Sequence, residues 1–183
     1  MIADPSLVVL VGAAGSGKST VAARHFAPGE VLSSDAFRAH IGRGEADQAV
    51  TRRAFGALHA ALERRLAVGR TTVVDATNVR ADARRDLVRR AAAAGAPAIA
   101  IVFDLPLDEC LAGDRLRPGR HVPPAIVERQ WTALRVAIDA GSLAAEGFVA
   151  VHRLTSRAAV DAVGRGRGPD GWPPLSAAAP PDR

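Results

Sequence analysis

The stretch of sequence that decides the fold is Gly12-Ala13-Ala14-Gly15-Ser16-Gly17-Lys18-Ser19, a complete G-x-x-x-x-G-K-S pattern. Glycines allow the backbone N–H groups of such a loop to turn inward around phosphate groups, and the serine hydroxyl can reach a Mg²⁺ ion. The helix that follows points the positive end of its dipole at the bound anion. We therefore expect residues Gly12 to Thr20 to bind a nucleotide, with Ser19 as a ligand of Mg²⁺.

Lys18 is the only lysine among the 24 lysines and arginines of the chain. An ammonium group is a compact point charge that can reach between the β- and γ-phosphates, where the broad guanidinium fork fits poorly. The alternative interpretation, an ordinary glycine turn, leaves this lone lysine unexplained. We predict that Lys18 binds phosphate during catalysis.

Five short apolar runs alternate along the chain with longer segments of helical spacing. The runs predict strands at Leu7–Val11, Glu30–Ser33, Thr71–Ala76, Ala98–Phe103 and Phe148–Leu154. The longer segments predict helices at Glu45–Val68, Ala81–Ala94 and Pro124–Ala137. Such alternation predicts an α/β fold, in which a five-stranded parallel sheet is covered by helices on both faces. With the glycine loop after the first strand, this is the P-loop NTPase fold.

Length and composition place the chain among globular enzymes. Its 183 residues predict one P-loop domain over residues 1–163 and a Gly/Pro-rich, disordered tail over 164–183. The single cysteine, Cys110, excludes an internal disulfide and a multi-cysteine metal site, and we expect it to be buried on a helix.

No signal peptide or membrane-spanning run is visible in the sequence. We therefore expect a cytoplasmic protein with no membrane partner. The net charge of +5 fits a polyanionic ligand, although such an excess is more often solvated surface.

An aspartate follows the second predicted strand, with Asp35 just past the strand end and Arg38 one helical turn later. Open α/β sheets bind ligands at the C-terminal ends of their strands, where the P-loop also lies. A carboxylate there can take a proton from an attacking hydroxyl, and Arg38 can hold a phosphate. The alternative is that Asp35 only caps a helix.

The third predicted strand also ends in polar residues. Asp75 follows an apolar run, as in a Walker B motif, and can act on Mg²⁺ through water; alternatively it caps the next helix. Thr77 and Asn78 follow, and Asn78 is the only asparagine of the chain. Asn78 can contact a ligand or simply occupy a left-handed turn position.

An arginine-rich segment at about residues 113–123 predicts a lid. Arg117 and Arg120 flank Pro118-Gly119 between two predicted helices. In phosphoryl transfer such arginines neutralise the charge on the transferred group; the alternative is a polar interhelical loop. Five further arginines crowd one predicted helix but scatter around its circumference, which indicates a solvated surface. They are Arg80, Arg84, Arg85, Arg89 and Arg90.

These motifs occur together and in order. They are the P-loop, Ser33-Ser34-Asp35-x-x-Arg38, Asp47-Gln48-Ala49-Val50-Thr51, Val73-Val74-Asp75-Ala76-Thr77-Asn78-Val79 and the arginine lid. The combination resembles the 5′-hydroxyl polynucleotide kinase domain of bacterial polynucleotide kinase-phosphatases, enzymes of nucleic-acid end healing. The resemblance covers about residues 6–155.

The resemblance implies an adenylate-kinase-like core, Mg²⁺ with ATP or another NTP as donor, and the 5′-hydroxyl end of RNA or DNA as acceptor. Asp35 would be the general base, and Lys18 and Ser19 would hold phosphates and Mg²⁺. Arg38 and Gln48 would lie on the acceptor side together with Thr77 and Asn78. Arg117 and Arg120 would be the lid contacts.

The resemblance also has departures. Relatives carry a further lid arginine where this chain has Gly113, and a phosphatase or ligase domain is missing here. The chain is therefore expected to be either a stand-alone kinase or an isolated module, with a phosphatase or ligase on another chain as a candidate functional partner.

Two other function classes share some of these features. A small-molecule P-loop kinase, of the gluconate or adenylylsulfate type, or a toxin-like kinase of sugar nucleotides would carry the same loop, aspartate and lid. A nucleotide-binding switch would bind and slowly hydrolyse NTP without an acceptor, and it would not need the arginine lid. Transfer to oligonucleotides but not to metabolites separates these possibilities from a polynucleotide kinase.

Overall fold

The sheet is parallel throughout, as predicted. A computed structural model describes residues 5–41, 48–117 and 121–163. In these ranges the strand order is β2-β3-β1-β4-β5. The strands are β1 (Leu7–Val11), β2 (Val31–Ser33), β3 (Thr72–Asp75), β4 (Ala98–Phe103) and β5 (Ala150–Leu154). β1 is central and ends in the glycine loop, so the loop lies at the middle of the sheet's C-terminal edge.

Helices connect successive strands. They are α1 (Lys18–His25), α2 (Ser34–Ile41), α3 (Gln48–Ala67), α4 (Ala81–Ala93), α5 (Leu107–Arg115), α6 (Pro124–Asp139) and α7 (Arg157–Ala162). Short 3-10 helices cover Pro28–Glu30 and Ser142–Glu146. The predicted helix start at Glu45 and the predicted disordered tail at 164–183 lie outside the described residues. α7 was not predicted; Ser156 caps it, since its Oγ accepts a hydrogen bond from Ala159 N at 3.1 Å.

Two apolar clusters lie on opposite faces of the sheet. Successive β1 side chains alternate, so Leu7 joins one cluster and Val8 the other. The first cluster packs under α3 and α4, and the second under α1, α5 and α7. Every β1 side chain is buried because helices cover both faces, which explains the unbroken apolar run. Cys110 on α5 is buried in the second cluster, as expected.

Arg84 corrects one prediction, that the arginines of α4 form a solvated surface. Its guanidinium is fully buried and makes a bidentate ion pair with Glu146, with both N–O distances at 2.6 Å. It also donates to the carbonyls of Asn78 and Val79 at 3.0 and 2.7 Å. The partner is 62 residues away in sequence, so helical periodicity could not reveal it. The pair ties the loop after β3 to the 3-10 helix at Ser142–Glu146.

None of the helices in the described ranges combines the length and the apolar character needed to cross a bilayer.

Candidate active site

The glycine loop forms a tight turn between the end of β1 and the start of α1. Gly15 and Gly17 adopt positive φ angles of 75° and 96°, a region that L side chains rarely enter. A Cβ on Gly15 would lie 2.0 Å from the Cys110 carbonyl oxygen, so the loop packs directly on α5. Gly17 N-caps α1, and the loop's N–H groups and the helix N-terminus thus form an anion-binding cradle.

The side chain of Lys18 folds back over the loop. Its Nζ donates to the carbonyl oxygens of Gly12 and Ala13 at 2.9 and 2.7 Å, and to Ser16 Oγ at 3.3 Å. Burial lowers the pKa of Lys18 from 10.5 to about 8, although the nearby Asp75 carboxylate partly opposes this. The ammonium therefore lies in the cradle, partly desolvated, where a phosphate would gain most from its charge.

Two oxygen ligands suited to Mg²⁺ flank this cradle. Ser19 is exposed at the start of α1, and the buried Asp75 ends β3; both line the same cavity as Lys18. A hydroxyl and a carboxylate completed by phosphate oxygens and water are a typical Mg²⁺ donor set. No cluster of three or more His, Cys, Asp or Glu that could hold a metal ion occurs in the described ranges, so phosphate would have to complete the site.

Asp35 lies in the first turn of α2 and faces the cavity. Its carboxylate pairs with the Arg38 guanidinium, and its second oxygen lies 3.4 Å from Arg117 Nη2. The sequence left open that Asp35 only caps a helix. In the structure the cap of α2 comes from Ser33, whose Oγ accepts a hydrogen bond from the N–H of Ala36 at 3.4 Å. The structure thus brings Asp35, Arg38 and Arg117 together, while their roles in catalysis stay predictions.

The lid is anchored at its base by Asp114. The buried carboxylate accepts a hydrogen bond from Val122 N at 2.8 Å, and the Asp114 carbonyl oxygen lies 3.1 Å from His121 Nδ1. These contacts join the end of α5 to the segment before α6. Arg120 and the side chain of Gln48, both predicted site residues, lie outside the described residues.

Thr77 and Asn78 have different surroundings in the structure, although both were predicted to bind the acceptor. Thr77 lines the cavity, and its carbonyl accepts from Gly12 N at 2.9 Å. Asn78 is buried with a φ of 47°, and its amide donates to Leu10 O at 2.8 Å. Asn78 therefore fixes the turn that supports the glycine loop, and the structure favours the turn alternative over direct acceptor contact.

Arg157 at the start of α7 contributes to the cavity wall and was not predicted. Its Nη2 donates to Gly15 O at 3.1 Å and reaches Glu109 O at 3.4 Å. A Cβ on Gly113 would lie 2.2 Å from Gly15 O and 3.1 Å from the same Nη2. A side chain at position 113 is therefore excluded here, and an arginine from a different helix occupies the neighbouring space. Arg157 follows the end of the fifth predicted strand, and this position is the sequence feature that could have revealed it as a site residue.

Two further cavity residues escaped sequence reasoning. Phe55 on α3 lines the end that holds Asp35, and its ring lies against His59 with centroids 6.2 Å apart. Gln130 on α6 accepts a hydrogen bond from Ala14 N at 2.9 Å. Both occur inside helices whose periodicity predicts only packing, so neither carries a local motif.

The fold and this cavity together define a P-loop kinase-like protein, a class whose fold implies nucleotide binding. The sequence profile of the AAA_33 family, described as an AAA domain, matches residues 7–140, and the chain belongs to this family. No curated protein matches the sequence.

Solved structures extend this assignment. A chain of the Pnkp1/Rnl/Hen1 RNA repair complex is 25% identical, with a TM-score of 0.65 over 76% of this chain, and this chain spans 47% of that one. A gluconokinase from Sinorhizobium meliloti 1021 is 19% identical, with a TM-score of 0.53 and 86% of each chain covered. The AvrRxo1-ORF1:-ORF2 complex with ATP is 17% identical, with a TM-score of 0.59 over 83% of this chain and 55% of that one. The last two show the fold alone.

Proposed function

We propose that this protein is an NTP-dependent polynucleotide kinase that transfers the γ-phosphate to a 5′-hydroxyl end of RNA or DNA. The observation that carries the proposal is one cavity of about 750 Å³ whose lining includes both the P-loop, here called its donor end, and Asp35 with Arg38, here called its acceptor end. The P-loop that would bind the donor phosphates thus shares one cavity with the Asp35 carboxylate. The motif combination and the 25% identical chain from an RNA repair complex support a polynucleotide as acceptor.

Asp35 would orient the attacking hydroxyl and accept its proton. As the new O–P bond forms, the O–H bond breaks toward the carboxylate and the donor leaves as a nucleoside diphosphate. Arg38 pairs with this carboxylate and would hold it in place beside the hydroxyl. Lys18 and Arg117, which line the same cavity, would both neutralise charge on the transferred group. Mg²⁺, held by Ser19 and through water by Asp75, would neutralise phosphate charge.

The acceptor end offers groups that suit a nucleotide. Phe55 presents an aromatic ring in the wall that also carries Asp35 and Arg38. Bases stack on aromatic side chains, and arginines bind the phosphates that follow the terminal nucleoside. Thr77 adds a hydroxyl beside them, and Gln48 stays a proposed acceptor ligand. A 5′-phosphate product is what a nucleic-acid ligase consumes, so a ligase on another chain is the functional partner we propose.

The test is transfer of labelled γ-phosphate from ATP, GTP, CTP and UTP to matched acceptors. The panel contains 5′-hydroxyl RNA and DNA oligonucleotides, the same oligonucleotides with 5′-phosphates, gluconate, adenylylsulfate and a sugar nucleotide. We expect label only on the 5′-hydroxyl oligonucleotides. Label on a metabolite alone would assign a small-molecule kinase, and release of phosphate without any labelled acceptor would assign a nucleotide switch.

A second arm tests the acceptor wall. Phe55→Leu keeps an apolar side chain but removes the stacking face, which is worth about 1–3 kcal/mol per base. The KM for the oligonucleotide should rise about tenfold or more while the KM for NTP stays unchanged. The matched control is Val68→Leu, an exposed position on the surface away from the cavity. Equal oligonucleotide KM values for Phe55→Leu and wild type would remove this ring from the acceptor site.

A further inference from the structure

Gln130 makes a contact that packing does not require. Its side-chain oxygen accepts a hydrogen bond from the backbone N–H of Ala14 at 2.9 Å, across 116 residues of sequence. Ala14 belongs to the P-loop, whose N–H groups are the donors that cradle phosphates. Gln130 lies on α6, the helix that directly follows the lid. A neutral side chain thus occupies a position on the loop at which a phosphate oxygen would accept.

The chemistry of this contact fixes the orientation of the amide. A backbone N–H can only donate, so the Gln130 oxygen must face the loop and the Nε2 group must face away from it. Gln130 lines the cavity, and no described residue accepts a hydrogen bond from Nε2. The amide therefore has a donor available for a ligand in the cavity.

The contact lies at the terminal-phosphate end of the donor cradle. The Lys18 ammonium, which in a P-loop reaches the β- and γ-phosphates, bonds to the carbonyls of Gly12 and Ala13, next to Ala14. Arg117, which lines the same cavity, lies 3.4 Å from the Asp35 carboxylate. Gln130 thus acts where the transferred phosphate must pass.

We propose that Gln130 is a positioning residue that senses the terminal phosphate of the donor. A phosphate oxygen accepts a stronger, charge-assisted bond from Ala14 N–H than the neutral amide does, so a triphosphate displaces the Gln130 oxygen. The released side chain turns its Nε2 toward the phosphate and donates to it. Because Gln130 is on α6, this exchange couples donor occupancy to the helix that carries the lid's C-terminal end. The proposal rests only on the donor half of the proposed function and is independent of the acceptor.

Three variants test this by calorimetric binding of ADP and of a non-hydrolysable ATP analogue, with the melting temperature of the free protein as a second readout. Gln130→Glu still accepts from Ala14 N–H, but places a negative charge beside the terminal phosphate. Gln130→Leu removes both the acceptor and the donor. Glu128→Gln, at an exposed position on the same helix, is the matched control.

Gln130→Glu should keep the wild-type melting temperature and weaken the triphosphate analogue about tenfold or more, with a smaller effect on ADP. Gln130→Leu should bind the analogue within a few-fold of wild type, because loss of the competing oxygen and loss of the donated bond offset each other, but should lower kcat about tenfold or more where turnover is measured. Glu128→Gln should behave as wild type.

A purely structural tie between α6 and the loop predicts the opposite pattern. Gln130→Glu would then bind both nucleotides normally, and Gln130→Leu would lose melting temperature and affinity for both nucleotides together. Either result would overturn the proposal. Since binding needs no acceptor, failure of transfer to oligonucleotides would leave this test intact.

Discussion

The two ends of the cavity are built in different ways. The donor end is backbone: residues 12–19 form one continuous turn whose N–H groups and helix N-terminus face the ligand. The proposed acceptor end is side chains from three separate parts of the chain, with Asp35 on α2, Phe55 on α3, and Arg117 just beyond α5. A backbone cradle is fixed by local sequence and is shared by many phosphate-binding proteins. A side-chain wall can change residue by residue, so we expect the proposed acceptor end to set this protein's specificity.

The largest effect is expected at the acceptor end, from Asp35→Asn. The amide keeps the size of the carboxylate but cannot take a proton, so transfer should fall by about 10²–10⁴-fold. Donor affinity, measured by calorimetry, should change far less than the transfer rate, because the P-loop N–H groups and Lys18 that bind the phosphates are kept. Asp108→Asn, at an exposed position on α5, is the control and should be fully active. A folded and active Asp35→Asn protein would move the base elsewhere, with Asp75 the next candidate.

The donor end should respond most strongly to Lys18→Arg. Charge is kept, but the wide guanidinium cannot occupy the space beside the Gly12 and Ala13 carbonyls, and turnover should fall by about 10²–10³-fold. Circular dichroism should show an intact fold. Near-normal turnover would mean that a positive charge alone suffices and that the ammonium shape has no role.

Arg117→Ala tests the junction between the two ends. Its guanidinium lies 3.4 Å from the Asp35 carboxylate and bonds to no P-loop atom in the described residues. Removing it should therefore lower kcat about 10²-fold at saturating NTP, with a smaller change in the KM for NTP. A pure rise in that KM, with kcat unchanged, would reassign Arg117 to ground-state donor binding.

The smallest expected effect is a pH dependence confined to the donor end. The pKa of Lys18 is lowered from 10.5 to about 8. Donor affinity should therefore weaken above pH 8, by at most about tenfold per pH unit, because the ammonium must be charged to bind phosphate. Binding above pH 8 should take up protons, which calorimetry in buffers of different ionisation enthalpy detects.

Folding stability should change in the opposite sense over the same window. Between about pH 8 and 10.5 the unfolded chain holds a proton on Lys18 that the folded chain has released, so the contribution of Lys18 to the free energy of unfolding rises with pH. Below pH 8 both states hold the proton and Lys18 contributes no slope. The chain has no tyrosine, but burial raises the pKa of Cys110 from 9.0 to about 11, so Cys110 lowers the free energy of unfolding above pH 9 and the net rise is expected mainly between about pH 8 and 9. Urea unfolding of Lys18→Arg, whose guanidinium stays charged, should lack this rise.

The same contrast explains what the sequence could predict. The glycine loop and β1 follow from one local run of residues, and β1 and β4 begin and end where the sequence predicted. Asp35 could be placed because strand ends gather at one edge of a parallel sheet. The contacts of Arg84 and Gln130 could not be predicted, because their partners Glu146 and Ala14 lie 62 and 116 residues away and only the folded chain brings them together. Asn78 was placed at the right edge, but its backbone conformation turns the amide toward Leu10 O.

The desolvated lysine in the P-loop also gives the protein one side-chain amine that acylating reagents can modify selectively. A buried amine with a pKa of about 8 carries a large neutral, nucleophilic fraction in mildly alkaline solution, where ordinary surface lysines are almost fully protonated. Because Lys18 is the only lysine of the chain, an acylating nucleotide analogue has a single side-chain amine to modify. Covalent labelling at one known residue, blocked by excess NTP, would then count donor sites directly in a mixture of proteins.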